Sequence, residues 1–214
     1  MSFYSFAQRI CLFFFKLYFK FEVKGLNNVE NSSCGLVLIS NHISYLDPVF
    51  LGLFLKRKLF FMAKAELFKV PILKKIIKKL GAFPVNRNAS DSSAIRTAVE
   101  FVEKKNVVAM FPQGHRSKKI DSLKPKTGFV RIALKSKAKV VPCSLYYESF
   151  LPRSRVYIYY GEAVNFNEIV KGLHFNSEDV NFKHVKELTI KIWQKVLNLN
   201  NIQKELYNEK KFYM

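Results

Sequence analysis

A histidine and an aspartate lie close together just after a short apolar run in the first quarter of the chain. The run Gly35–Ser40 is bounded by turn residues, and Asn41-His42 follows it directly, with Asp47 a few positions later. A loop residue just past a buried strand is held rigidly yet stays accessible, which suits a general base. A nearby carboxylate fixes the imidazole tautomer and stabilises the imidazolium that forms on proton abstraction. The alternative is that Asp47 only caps a helix and that His42 is only a polar loop residue.

A second polar block follows another apolar run and reads Phe-Pro-Gln-Gly-His-Arg-Ser from Phe111 to Ser117. Gly114 permits close approach of a ligand to the backbone, and the Arg116 guanidinium can hold a phosphate through two parallel hydrogen bonds. Arg87 and Lys126 can add positive charge. The block therefore indicates a phosphate-bearing substrate, with a merely solvated basic loop as the alternative.

Several reaction classes lack their motifs in this sequence. It contains no GxSxG, P-loop, GxGxxG or HExxH pattern, which argues against serine hydrolase, kinase, dehydrogenase and zinc-protease functions. The three cysteines are widely separated and form no CxxC pair, so neither a zinc site nor a disulfide framework is expected. Cys34 and Cys143 are interpreted as small buried residues.

Alternating strand and helix signals predict the elements that position these side chains. The predicted strands cover residues 35–40, 59–63, 81–87, 107–111, 139–146 and 155–160. Helices are predicted from about residue 47 and over 70–80, 91–105, 127–136 and 179–197. This order is typical of an α/β fold with a mostly parallel central sheet flanked by helices. In such sheets ligands bind outside the carboxyl ends of the strands, where the polar blocks fall.

The N-terminal segment, residues 2–21, predicts an amphipathic helical segment at a membrane interface. Three basic residues, Arg9, Lys16 and Lys20, interrupt it, so it is a poor membrane span. As a helix it places large apolar side chains on one broad face: Phe3, Phe6, Ile10, Phe13 and Phe14. Basic side chains can reach headgroups from such a position, although an ordinary terminal helix packed on the core is the alternative. The predicted organisation is residues 1–24 as this segment, 25–200 as the catalytic domain and 201–214 as a charged tail.

The charge of the chain is strongly positive, with 36 Lys and Arg against 16 Asp and Glu, a net +20. This excess attracts an anionic membrane, phosphate-bearing substrates or nucleic acid. The 21 Phe and 10 Tyr suit a membrane interface, and they also suit base stacking on single-stranded nucleic acid. Composition leaves both partners open.

Four blocks in chain order resemble the glycerolipid acyltransferase family, which includes 1-acylglycerol-3-phosphate acyltransferases. Asn41-His42-Ile-Ser-Tyr-Leu-Asp47 is similar to the family's N-H-x4-D box. The stretch Gly81–Arg87 is similar to its glycine-to-arginine block, and Phe111–Ser117 resembles F-P-E-G-T-R-S. Val141-Pro142 is similar to a late valine-proline block, and the resemblance covers about residues 25–165. Lys64-Ala-Glu66 and Lys126-Thr-Gly128 lie where the family tends to carry Lys-x-Glu and Lys-x-Gly.

The resemblance implies a role for each matching residue. His42 would deprotonate the glycerol hydroxyl, which attacks the acyl thioester, and Asp47 would orient His42. Phosphate binding is implied for a basic and polar set: Lys64, Arg87, Gln113, Gly114, Arg116 and Lys126. The reaction implied is transfer of a fatty acyl group from acyl-CoA or acyl carrier protein to the sn-2 hydroxyl of 1-acylglycerol-3-phosphate (lysophosphatidic acid), giving phosphatidic acid. No metal or cofactor is implied beyond the acyl donor as co-substrate.

Two residues depart from the family pattern, since Gln113 stands in place of Glu and His115 in place of Thr. Gln keeps an acceptor oxygen but loses the charge and gains donors. Gln113 should be able to replace the family's Glu if the side chain at that position hydrogen-bonds mainly to backbone groups. Another lysolipid or an aminolipid acceptor is the nearest alternative function, and a non-enzymatic basic membrane- or RNA-binding protein is the more distant one. Under the leading hypothesis the partner is an anionic membrane on its cytoplasmic side, and no nucleic acid is expected.

Overall fold

Seven strands form a single sheet in the computed structural model, which describes residues 2–85, 92–117, 119–120, 124–165 and 181–212. The strands are β1 (Lys20–Lys24), β2 (Leu36–Ser40), β3 (Leu59–Lys64), β4 (Ala82–Val85), β5 (Val107–Met110), β6 (Lys139–Tyr147) and β7 (Arg155–Tyr160). They lie in the order β1-β7-β6-β2-β5-β3-β4. The five strands from β6 to β4 are parallel, while β7 runs antiparallel to β6 and β1 runs parallel to β7. The prediction of a mostly parallel sheet is confirmed.

Helices cover both faces of this sheet. They are α1 (Phe3–Tyr18), α2 (Asn27–Glu30), α3 (Asp47–Leu53), α4 (Pro71–Lys79), α5 (Ser92–Glu103), α6 (Gly128–Ser136) and α7 (Phe182–Phe212), with a 3-10 turn at Ala65–Phe68. Because successive strand residues point to opposite faces, Val37 and Ile39 pack towards α5, α6 and α7. Leu36 and Leu38 pack on the other side with Phe50 of α3. The central strand β2 is therefore buried on both faces, as its unbroken apolar run predicts.

The N-terminal boundary differs from the prediction. Residues 20–24, assigned to the membrane-interface segment, form the edge strand β1, where Lys20 pairs with Arg155. Phe19 is buried in the core beside Phe50. The pattern misled because aromatic residues continue past the end of α1 at Phe19 and Phe21, and the pairing partner of the strand lies far along the chain.

The C-terminal boundary also differs, since α7 continues to Phe212 through most of the stretch predicted as a charged tail. Gln203 of that stretch and Asn200, the last residue of the predicted domain, are buried against Ser144 of β6. The Ser144 hydroxyl donates to Gln203 Oε1 at 2.8 Å, and Asn200 Nδ2 donates to Ser144 Oγ at 3.1 Å. These residues are polar by sequence, yet the partners on β6 satisfy them inside the fold.

Two cysteines differ in environment from each other. Cys143 is buried in β6, as predicted, and burial strongly raises the pKa of its thiol. Cys34 is exposed, contrary to the prediction, because it lies in the turn before β2 rather than in the strand.

Candidate active site

His42 and Asp47 form a direct pair at the carboxyl end of β2. His42 Nδ1 lies 2.6 Å from Asp47 Oδ2, and both residues are buried. The same oxygen accepts the backbone N–H groups of Ile43 at 2.6 Å and Ser44 at 2.8 Å. Helix α3 begins at Asp47, and the other carboxylate oxygen, Oδ1, is buried without a hydrogen-bond partner among the described residues, so the side chain does not cap the helix. Three donors therefore converge on one carboxylate oxygen, which fixes Asp47 as the partner of His42.

The backbone around His42 is held by neighbouring elements. The Asn41 side chain bonds to both backbone groups of Leu145 on β6, donating to its carbonyl at 2.8 Å and accepting from its N–H at 2.8 Å. The His42 carbonyl accepts the N–H of Ser117 at 2.8 Å. The imidazole stacks on the ring of Phe111, with centroids 4.1 Å apart. These contacts leave the histidine little freedom to move.

Gln113 links the His42 loop to the loop after β5. Its Oε1 accepts the N–H of His42 at 2.9 Å, and its Nε2 donates to the carbonyl of Ile120 at 3.0 Å. The side chain is buried, and each bond uses the amide in a different role. An ionised Glu could accept from His42 but could not donate to Ile120. Gln therefore matches the backbone groups that it meets here, and the arrangement favours a positioning role over direct contact with phosphate.

A cavity of about 810 Å³ opens in front of His42. Its lining is mainly apolar and comes from α1, α3, β3, α4 and β4, including Ala7, Val49, Phe61, Ile77 and Leu80. Polar and basic side chains line the end near His42, namely Lys64, His115 and Arg116. The cavity can therefore hold a long apolar chain with its polar end beside the imidazole.

The basic side chains at this end have defined contacts. The Arg116 Cζ lies 3.4 Å from the centroid of the Tyr45 ring, so the guanidinium stacks on its face. Lys64 Nζ lies 3.3 Å from Glu66 Oε1 in an exposed ion pair. His115, the residue that stands in place of the family Thr, is exposed and lines the cavity. An anionic group near His42 would meet these charges first.

Gly114 and Lys126 lie against each other beside the cavity. Gly114 has a φ of +76°, which favours glycine, and its N–H closes a turn onto the Phe111 carbonyl at 3.1 Å. A Cβ at this position would lie 3.1 Å from Lys126 Cε. The Lys126 N–H donates to the Pro112 carbonyl at 2.8 Å. The glycine thus lets the lysine side chain cross the turn closely.

The structure brings most of the predicted site residues to one edge of the sheet. His42, Lys64 and Arg116 line the cavity, Asp47 and Gln113 lie behind them, and Gly114 and Lys126 flank them. Arg87 lies outside the described residues. Sequence reasoning missed Tyr45, although it stands within the box, and missed the inner face of α1, where Tyr4, Ala7, Gln8 and Cys11 line the cavity.

Helix α1 is fixed to the domain through this inner face. Gln8 Nε2 donates to the carbonyls of Gly52 and Leu55 at the end of α3, each at 2.6 Å. Phe15 makes an edge-on contact with Phe50, with centroids 5.2 Å apart. The outer face of α1 is exposed, as predicted for Phe3, Phe6, Ile10, Phe13 and Phe14. Within the described residues, the helices include none that is both long and apolar enough to cross a membrane.

Comparison with known proteins gives related enzymes and a related structure. The chain is 33% identical over 120 residues to a 1-acyl-sn-glycerol-3-phosphate acyltransferase of Bacillus subtilis, covering 55% of this chain and 59% of that protein. It is 27% identical over 191 residues to the protein of the same name from Streptococcus pneumoniae, covering 86% of this chain and 68% of that one. The crystal structure of the 1-acyl-sn-glycerophosphate acyltransferase PlsC from Thermotoga maritima superposes with a TM-score of 0.65 at 20% identity, covering 92% of this chain and 80% of that chain. That likeness shows the shared fold.

The family model described as Acyltransferase matches residues 20–146, which is more than half of the 214-residue chain. The matched range begins with β1 and contains His42, Asp47 and the Phe111–Ser117 block. It therefore includes the paired base and carboxylate and the loop that Gln113 connects to them. The chain belongs to the acyltransferase family.

Proposed function

We propose that the protein transfers a fatty acyl group from acyl-CoA or acyl carrier protein to the sn-2 hydroxyl of 1-acylglycerol-3-phosphate, giving phosphatidic acid. The observation that carries the proposal is the His42–Asp47 pair at 2.6 Å, with its imidazole facing an apolar cavity that is basic at one end. The relatives from Bacillus subtilis and Streptococcus pneumoniae are named for this acceptor, which supports the choice.

The contacts of Asp47 favour one tautomer of His42. An ionised carboxylate only accepts hydrogen bonds, so Nδ1 is the ring nitrogen that carries the proton towards Asp47. Nε2 then has its lone pair available and acts as the base. When it takes a proton, Asp47 stabilises the imidazolium across the short contact.

The transfer proceeds directly between the two bound substrates. His42 Nε2 removes the proton of the glycerol hydroxyl as its oxygen attacks the thioester carbonyl carbon. A tetrahedral oxyanion forms and collapses, the carbon–sulfur bond breaks, and the thiolate leaves. The imidazolium returns its proton to the departing sulfur, which restores the neutral histidine. The step uses the acyl donor as its co-substrate and no cofactor.

The acceptor phosphate binds at the basic end of the cavity. Arg116 can hold two phosphate oxygens through its planar fork, and Lys64 adds a point charge. Lys126, beside the Gly114 turn, and Arg87 complete the proposed set. Gln113 contributes by fixing the two loops rather than by touching the phosphate.

The protein works on the cytoplasmic face of an anionic membrane in this proposal. The outer face of α1 exposes seven large hydrophobic side chains, and α4 exposes Ile72 and Ile76 among four lysines. The two helices meet where Lys79 Nζ lies 5.2 Å from the Phe3 ring centroid. Apolar residues beside cations suit a lipid surface, since the chains enter the interface while the ammonium groups meet phosphates.

The test is acyl transfer to lysophosphatidic acid in detergent, with acyl-CoA and acyl carrier protein offered separately and phosphatidic acid detected. His42→Ala should lower kcat at least ~100-fold, as expected for a lost general base. His184→Ala is the matched control, because His184 lies on α7 away from the cavity. Wild-type activity that His42→Ala leaves intact would refute the assignment of the base. Absence of transfer with both donors would refute the proposed reaction, and other lysolipid and aminolipid acceptors would be tried next.

A further inference from the structure

A second, smaller pocket of about 180 Å³ lies where α1 ends and β1 begins. Its cationic lining consists of Lys16, Lys20 and Arg153, and none of its residues lines the large cavity. We propose that this pocket binds the phosphate of an anionic lipid headgroup, as a membrane site separate from the active site. The inference rests on the membrane contact in the proposed function and gives that contact a specific ligand.

The charge of the pocket favours an anion. No acidic side chain lines it, and no ion pair is recorded for Lys16, Lys20 or Arg153 within the described part of the chain. Lys16 Nζ lies 6.0 Å from the Phe54 ring centroid, at the outer limit of a cation–π contact. Three cations around one small pocket repel each other, and a phosphate relieves that repulsion. The guanidinium supplies a planar fork for two oxygens, and the ammonium groups supply point charges.

The position of Arg153 is fixed by the backbone. It adopts a left-handed conformation with φ of 64°, which is costly for a residue with a side chain. Its N–H donates to the Tyr18 carbonyl at 2.6 Å, and the Lys20 N–H donates to the Ser154 carbonyl at 3.0 Å. The Tyr18 hydroxyl donates to the Phe150 carbonyl at 3.0 Å. The β6–β7 loop is thus bound to the end of α1, and this contact places Arg153 beside the two lysines.

The surroundings of the pocket indicate a lipid rather than a soluble phosphate. Leu17, which lines the pocket, is 69% exposed, and Phe13 and Phe14 are exposed on the preceding turn of α1. On the other side, Phe150 and Leu151 of the β6–β7 loop are exposed as well. Apolar side chains therefore bracket the cations. This order matches a bilayer interface, where apolar groups enter the acyl region and cations stay at phosphate depth.

The experiment measures binding of the full chain to vesicles of phosphatidylcholine alone and of phosphatidylcholine with phosphatidylglycerol. The pocket variant combines Lys16→Gln, Lys20→Gln and Arg153→Gln. The matched control combines Lys183→Gln, Lys191→Gln and Lys195→Gln, which removes the same charge from exposed positions on α7. The pocket variant should bind anionic vesicles about 10-fold or more weakly than the control, since it loses all three cations proposed to contact the lipid phosphate and the control keeps them. A charge-retaining variant, Lys16→Arg with Lys20→Arg, keeps Arg153 and should bind like wild type.

Several results would overturn the inference. Equal losses in the pocket and control variants would show that net charge alone holds the protein on the membrane. Another such result is that inorganic phosphate stabilises the wild type, but not the pocket variant, against thermal unfolding while the two bind vesicles equally. That result would assign the pocket to a free phosphate. A wild type that binds neither vesicle would reject the inference while leaving acyl transfer in detergent untouched. The rate of acyl transfer in detergent should be the same in the pocket variant and the wild type. This assay therefore tests the proposed reaction independently of membrane binding.

Discussion

The Arg116 guanidinium stacks on the Tyr45 ring, with Cζ 3.4 Å from the ring centroid. Tyr45 belongs to the loop between His42 and Asp47, whereas Arg116 belongs to the loop after β5. The contact therefore joins the loop that carries the base to the residue proposed to hold the acceptor phosphate. Tyr45 is 79% exposed, so the ring orients Arg116 without belonging to the core.

Tyr45→Ala should raise the KM for lysophosphatidic acid by about 3- to 10-fold, since an exposed cation–π contact contributes about 0.5–1 kcal/mol and the freed arginine also loses its orientation. The value of kcat and the KM for the acyl donor should change little. Steady-state kinetics with each substrate varied in turn measures this. Tyr45→Phe keeps the ring face and is the control, expected to resemble wild type. An equal effect of Tyr45→Ala in an Arg116→Ala background would contradict a role exerted through Arg116.

Asp47→Asn should lower kcat by about 10²- to 10⁴-fold, because an amide no longer fixes Nδ1 as the protonated nitrogen or stabilises the imidazolium. The amide oxygen can still accept from Ile43 and Ser44, so the loop should keep its shape. Thermal unfolding checks that the variant folds, and single-turnover transfer measures the chemical step. A kcat close to that of wild type would mean that Asp47 only supports the loop.

Gln113→Leu should lower both stability and kcat, since it leaves the His42 N–H and the Ile120 carbonyl buried without their partners. The loss of unfolding free energy should be about 1–3 kcal/mol for each unsatisfied group. Gln113→Glu keeps the acceptor for His42 and loses only the donor to Ile120, so its effect should fall between those of leucine and wild type. Denaturant unfolding gives the order of the three proteins. A reversed order, with Glu the most damaging, would show that charge matters more than the bond to His42.

Substitutions on the outer face of α1 should affect membrane binding, and substitutions on its inner face should affect folding stability. Phe13→Ser with Phe14→Ser changes only exposed side chains and should reduce flotation with liposomes while thermal stability is kept. Gln8→Ala removes both bonds to the end of α3 and should lower the unfolding free energy by about 1–3 kcal/mol. Deletion of residues 1–21 is a poorer test of anchoring, because it also removes Phe19 from the core and the start of β1. Unchanged flotation of the double serine variant would argue against the anchor.

Cys11 offers a reporter for the cavity in a Cys34→Ala background, where the exposed thiol is absent. Burial raises the pKa of the Cys11 thiol, so maleimide labelling should keep accelerating with pH above about 8.5, where an ordinary thiol is already half ionised. A nonhydrolysable acyl-CoA analogue with a long chain should slow this labelling, and coenzyme A without an acyl chain should not. Identical rates with both ligands would place the acyl chain elsewhere.

The parts of the site that sequence predicts are those carried by short, local patterns. His42 and Asp47 lie five residues apart, so their spacing allowed the pair, with helix capping by Asp47 as the alternative, and the structure brings the two side chains to 2.6 Å. The strands around them are continuous apolar runs, which is why their positions agree closely with the prediction. Gln113 appeared in the pattern as well, but its two backbone partners lie in different loops, and only the fold reveals them.

Long-range pairing explains what the sequence did not reveal. Tyr4, Gln8 and Cys11 form a wall of the cavity because α1 docks on α3, about 45 residues along the chain, and no local pattern encodes that contact. Gln203 resembles a solvated tail residue by sequence, and only the fold places Ser144 beside it. A polar residue with a distant partner is indistinguishable from a surface residue by periodicity alone.

The two faces of α1 meet different apolar environments. The inner face lines the reaction cavity, and in the proposed function the outer face contacts the bilayer. On that proposal, a substrate chain that entered the cavity beside this helix would exchange one hydrocarbon medium for another with little hydration in between. Hydration would cost about 0.8 kcal/mol for each methylene group, so a fully water-exposed route would carry a steep barrier that grows with chain length. With the bilayer against α1, as proposed, substrate entry would largely avoid that barrier, and the rate of loading should then depend on the concentration of lipid within the membrane rather than in the surrounding water.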